Sequence, residues 1–157
     1  MEKRNFQIEV EQIRSKEHRT VDATLSSTFP VKRHSGDEVL SHEPGAVDLS
    51  RAPLPLLCSH NDKVLPVGVV ERLRVNDGKL RGTMRFSRTA DTLWADVEDG
   101  IIRNVSIGYV VKARQKTKTG YIVTNWQPYE CSLVAAPAAP MDNTDIPVFI
   151  QQAMGIN

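Results

Sequence analysis

The residues from Val67 to Phe86 constrain the fold more than any other stretch of the chain. Val67 to Val75 and Lys79 to Phe86 flank Asn76-Asp77-Gly78, and the second arm alternates Leu80, Gly82, Met84 and Phe86 with Arg81, Thr83 and Arg85. Side chains of one kind at every second position give a strand with one buried face. An Asp-Gly pair between two such runs tolerates the positive backbone φ angles of a tight hairpin turn. A chain with this unit at its centre is building an antiparallel sheet.

The same period recurs on both sides. Phe6, Ile8 and Val10 alternate with Gln7, Glu9 and Glu11, and Val21, Ala23 and Leu25 repeat the pattern. Leu56 to His60 reads as a short strand ending at Asn61-Asp62. Ile101 to Val111 reads as a β-branched strand with Ser106 at its middle, and residues 129 to 135 as the last strand, stopped by Pro137 and Pro140. A second hairpin is predicted to turn within Lys116 to Gly120 before Tyr121-Ile122-Val123 returns. From Pro30 to Pro55 turn formers dominate, which predicts a long connection with one helical turn around Ala46 to Ser50. One helix is signalled near 89–100: Ser87 or Thr89 caps it, Leu93, Val97 and Ile101 form its apolar stripe, and Gly100 stops it. Asn143 to Ala153 reads as a short terminal helix. Six to eight strands with one or two helices predict a mostly-β barrel or sandwich. We assign 1–142 to one domain and 143–157 to a tail or short helix.

Composition narrows the function classes. The chain has 157 residues, enough to bury roughly two-thirds of its unfolded surface. Its 20 basic and 19 acidic residues leave a net charge of +1, which predicts no strong attraction to nucleic acid or membrane. No apolar run approaches the roughly 20 residues of a membrane-spanning helix, and the N-terminus lacks an apolar signal core, so a cytosolic location is expected. Cys58 and Cys131 are then expected as free thiols. Nothing in the spacing of Cys and His implies a metal or an organic cofactor.

A serine in a strand needs a base within hydrogen-bond reach and a third group to orient that base before it reacts. Strand alternation puts Ser106 with Asn104, Gly108 and Val110 on the less crowded face, opposite Val105, Ile107 and Tyr109. Of the four histidines, His18, His34 and His42 lie in polar stretches and read as solvated. His60 closes an apolar strand, a position that holds a side chain and still reaches solvent, and equally suits a structural histidine. Glu130 is a carboxylate inside a strand otherwise fit for burial, so it needs a partner, either an arginine or His60. Ser132, on the same face, reads as an ordinary strand residue. Cys58 as a nucleophile and a metal site of His60, Asp62 and Glu130 are weaker readings, since side chains two apart on a strand point in parallel and no spacing singles the trio out.

Five segments in order carry a family resemblance: Ala23-Thr24-Leu25-Ser26-Ser27-Thr28-Phe29; Pro44-Gly45-Ala46-Val47-Asp48-Leu49-Ser50; Leu56-Leu57-Cys58-Ser59-His60-Asn61-Asp62 with Pro66-Val67-Gly68-Val69-Val70-Glu71; Asp99-Gly100-Ile101-Ile102-Arg103-Asn104-Val105-Ser106-Ile107-Gly108-Tyr109; and Glu130-Cys131-Ser132-Leu133-Val134 with Pro137-Ala138. Across roughly 20–140 the chain resembles the prohead (capsid maturation) proteases of tailed bacteriophages. The resemblance implies a herpesvirus protease-like β-barrel with a few surrounding helices. It also implies a serine endopeptidase with Ser106 as nucleophile, His60 as base and Glu130 as orienting acid, and leaves Arg103 as a possible aid to the oxyanion. The expected substrates are the major capsid protein and scaffold polypeptide, and the protease itself, inside the assembling prohead in the bacterial cytoplasm. A homodimer is expected by likeness to the herpesvirus enzymes. The alternative is a catalytically inactive structural or scaffolding module that binds capsid protein.

Overall fold

The computed structural model describes residues 2–7, 13–15 and 18–135. In chain order the strands are β1 (Glu2–Gln7), β2 (Ile13–Ser15), β3 (Thr20–Ser27), β4 (Val31–Arg33), β5 (Gly36–Leu40), β6 (Leu54–Cys58), β7 (Gly68–Asn76), β8 (Lys79–Phe86), β9 (Asn104–Lys116) and β10 (Gly120–Leu133). One helix, α1 (Asp91–Glu98), lies between β8 and β9, preceded by a 3-10 turn at Arg88–Ala90. Among the described residues no helix is long and apolar enough to cross a membrane. The helix placed at 143–153, and with it the proposed tail, lies outside the described residues.

The central hairpin forms as its sequence dictates. Asn76 pairs with Lys79 across Asp77 and Gly78, whose φ angles of 52° and 71° are the two positive values a tight two-residue turn requires. Leu80, Met84 and Phe86 are buried along β8 while Arg85 is exposed. The helix stops as expected but starts later: Ser87 Oγ accepts the Thr89 N–H at 3.2 Å and so caps the 3-10 turn, while α1 begins after Ala90 with no side-chain cap. Gly100 takes φ 72°, and the Ile101 N–H donates to Asp96 O at 2.8 Å. Because α1 stops at Glu98, Ile101 is not part of its apolar face. Trp94 and Val97 are buried, and Ile101 is 70% exposed.

The ten described strands join one mostly antiparallel sheet in the order β1-β9-β10-β6-β7-β8-β3-β2, with β5 added parallel to β10 and β4 antiparallel to β5. The mostly-β expectation holds. Closure into a barrel does not: among the described residues the hydrogen-bonded path is open, with β1 at one end and β2 at the other, although β1 approaches β3 without pairing to it. The core runs along the sheet through Leu25, Leu54, Leu56, Met84, Phe86, Ile107, Tyr109 and Trp126. Trp126 is fully buried, meets the rings of Tyr109 and His42 edge-on at 5.5 Å each, and donates its indole N–H to Ser41 O at 2.9 Å.

Several elements differ from expectation, each for an identifiable reason. The long connection contains the β4–β5 hairpin. Its inward positions are Val31, Glu38 and Leu40, and the carboxylate at the middle hides the strand period. Glu38 is fully buried because Tyr109 Oη donates to it at 2.5 Å, Tyr121 Oη at 3.2 Å and Arg33 at 3.4 Å. The turn expected at 46–50 lies at 44–46, and Val47 bridges to Trp126 in parallel. The strand expected from Phe6 to Val10 is β1, three to four residues earlier, and residues 8–12 lie outside the described set. Two predicted strands at 121–123 and 129–135 are one fourteen-residue strand, β10, carried through register shifts between Val123 and Trp126 and between Pro128 and Glu130. Gly120 starts it because β5 comes too close for any side chain: a Cβ there would lie 2.0 Å from Asp37 O.

Candidate functional site

Three adjacent strands bring the three candidate residues together. β9 and β10 are antiparallel neighbours with Ser106 opposite Ser132 and Gly108 opposite Glu130, so these four positions share a face. β6 lies on the other side of β10, parallel, with Leu57 opposite Ser132 and Cys58 opposite Leu133. The register alone therefore delivers the end of β6 to the place where Ser106 and Glu130 sit.

His60 is not held by the strand itself, contrary to the sequence reading. β6 ends at Cys58, and Ser59 and His60 both take left-handed backbone angles, φ 52° and 56°. Non-glycine residues rarely adopt this conformation and must be held in it. Here the Ser59 N–H donates to Leu133 O at 2.8 Å, the His60 N–H to Ser132 Oγ at 3.0 Å, and the Asn61 N–H to Cys58 O at 3.0 Å. The turn swings the imidazole back over β10. His60 Nδ1 bonds Glu130 Oε1, and His60 Nε2 lies 2.9 Å from Ser106 Oγ. A carboxylate accepts and does not donate, so Nδ1 carries the proton and the Nε2 lone pair faces the serine hydroxyl. The second Glu130 oxygen accepts Ser132 Oγ–H at 2.9 Å.

The arrangement is nearly dry. Ser106 is 1% exposed, Ser132 0% and Glu130 3%, while the His60 side chain keeps 12% of its surface in contact with solvent. The face of Ser106 is thus not the open one inferred from alternation, because every residue from Asn104 to Tyr109 is buried. Two residues from Ser106 on that face, Asn104 Oδ1 is buried with no hydrogen-bond partner among the described residues. Arg103 is exposed, just ahead of β9. Beyond His60 the chain runs through the exposed segment 61–66, where Val64 and Leu65 are 60% and 86% exposed.

Glu130 partners His60 and Ser132. The buried carboxylate that takes an arginine is Glu38. Ser132, read from sequence as ordinary, supplies two of the bonds that fix the site, and its only signal was its place two residues from Glu130 on the same face. His42 is corrected from solvated to buried: its Nε2 lies 2.7 Å from Ser26 Oγ and its Nδ1 3.0 Å from Leu40 O. His18 and His34 are exposed. Both cysteines are free, Cys58 exposed and Cys131 buried. Burial raises the Cys58 thiol above its ordinary pKa, the opposite of an activated thiolate. Burial, then the Glu130 charge, push Cys131 far above its own. Among the described residues no three His, Cys, Asp or Glu side chains are grouped as a metal site.

No family model matches the chain, and no solved structure matches it. It is similar to a protein named major capsid protein of the Halomonas phage phiHAP-1, 41% identical over 129 aligned residues that take in 74% of this chain. The matched part is 21% of that relative, so the chain spans about a fifth of its length. This match overturns the expectation of a serine endopeptidase, a hydrolase that matures proheads and cleaves itself. It equally overturns the reading of the major capsid protein and scaffold polypeptide as partners, whether as substrates or as the target of a silent module: the protein that this chain is similar to is itself named major capsid protein.

Proposed function

We propose that the chain is a structural module of a phage capsid polypeptide, located in the virion or the assembling capsid. The observation that carries this reading is the 41% identity to part of a major capsid protein. A single sheet whose strands pair mostly across long sequence separations supports a structural role. The motifs shared with prohead proteases we read as common ancestry of a fold, and the approach of β1 to β3 supports its relation to a barrel. Deleting residues 18–135 from the complete capsid polypeptide tests the role. Loss or malformation of particles under the electron microscope is expected, and normal particles at normal yield would refute it.

A second proposal concerns the site and assigns it no substrate. Ser106, His60 and Glu130 act as one unit in which the Ser106 hydroxyl is activated, supported by the 2.9 Å contact and the orienting carboxylate. A serine-directed fluorophosphonate is expected to label Ser106 in the intact chain, with labelling slowed by about a hundredfold or more in His60→Ala. Equal labelling in the two proteins would reduce the array to a structural hydrogen-bond network.

A further inference from the structure

β10 pairs with β9 as far as Lys116, but on its other side β9 is paired only from Asn104 to Tyr109, by β1. Among the described residues nothing pairs with that edge from Val110 to Lys116, and residues 112 to 116 are exposed on both faces. An unpaired edge presents backbone N–H and C=O groups that a further strand can satisfy.

The charge of this arm says which strand. From Asn104 to Tyr129 the chain contains no acidic residue, although it holds 19 acids against 20 bases overall. Lys112, Arg114, Lys116 and Lys118 all fall within this stretch. Lys112 is engaged by Asp48 at 2.6 Å, and Arg114 lies over the Tyr121 ring at 4.8 Å, leaving its charge on the surface. Arg114 and Lys116 share a face about 6.8 Å apart and border a cavity of about 300 Å³ with Ser35, Gly120 and Tyr121.

We propose that the β9 edge from Val110 to Lys116 docks an extended acidic polypeptide segment, which adds to the sheet as a further antiparallel or parallel strand. Acidic side chains at alternate positions of that strand lie beside Arg114 and Lys116, while its backbone completes the open ladder. Basic edges discourage pairing with most strands, and the same charges select an acidic one. The identical edge of a second copy is a poor occupant, since it sets these cations against like charges. This inference goes beyond the structural role proposed above and does not depend on the Ser106 site.

The probe is a short fluorescent peptide alternating Glu with Thr and Val, followed by anisotropy against the full 157-residue chain. Saturable binding that weakens with salt is expected, together with new protection from hydrogen exchange of those alternate amides of residues 110 to 116 that face away from β10. Arg114→Glu with Lys116→Glu is expected to weaken binding by about tenfold, and Lys63→Glu, at an exposed position far along the chain, to leave it unchanged. A peptide with prolines at alternate positions should fail to bind, because proline has no N–H for the ladder. Undiminished binding of the proline peptide, tighter binding of an oligothymidylate than of the peptide, or full protection of these amides before any peptide is added would each overturn the proposal. Should the double variant not fold, the proline and salt comparisons on the unmodified chain still decide.

Discussion

Replacing Ser132 with alanine tests how the site is held together. The Ser132 hydroxyl donates to Glu130 Oε2 at 2.9 Å and accepts the His60 backbone N–H at 3.0 Å, in a position with no exposed surface. Ser132→Ala deletes both bonds where solvent does not replace them. A bond to a neutral group contributes about 1 kcal/mol and one to a charged group about 1.5–3 kcal/mol, so the loss should be about 3 kcal/mol. For a domain of this size that lowers Tm by roughly 10 °C. Urea denaturation should show a lower midpoint at unchanged slope, because the surface exposed on unfolding is the same. The left-handed turn at Ser59 and His60 loses one of its three backbone anchors, so the His60 ring nitrogens should also report a less uniform tautomer by NMR. A loss below about 1 kcal/mol, or an unchanged imidazole spectrum, would show that the hydroxyl is not what fixes His60.

Two further outcomes follow from local chemistry. One thiol of the native chain, Cys58, should react with a maleimide and the second only on unfolding, since Cys131 has no exposed surface; rapid reaction of both in the folded chain would be inconsistent with the packing of β10. The Asp48 carboxyl is held below the usual carboxylate range, first by its bond to Lys112 and then by Ser50. A depressed carboxyl contributes stability that is full above its unfolded pKa of about 4 and is lost as pH falls through the lower folded value. Lys112→Gln should therefore move the Asp48 NMR titration up toward the ordinary range, and an identical midpoint in both proteins would remove Lys112 as the cause.

Local rules made much of the sheet legible. The Asp77-Gly78 turn, the Ser87 cap and the Gly100 stop depend on the conformational preferences of single residues, which a sequence displays directly. His60, Ser106 and Glu130 stood out because each interrupts an apolar strand or ends one. What escaped notice depended on partners far along the chain. Glu38 looks like a loop residue until Tyr109 and Tyr121 supply hydroxyls from 71 and 83 positions away. His42 looks solvated until Ser26 and Trp126 enclose it. Alternation places Ser132 correctly but says nothing of the turn whose N–H it receives, and it takes the open path of the sheet no further than a count of strands. Function was least legible: motifs resembling those of prohead proteases implied an enzyme, whereas the similarity, over 74% of the chain, is to part of a protein named major capsid protein.

Quantitative mass spectrometry of purified intact particles tests the central claim most directly. The structural reading requires peptides from residues 18–135 in the particle, in constant ratio to those from the rest of the capsid polypeptide. Mature particles that contain the rest of that polypeptide but lack these peptides would contradict it.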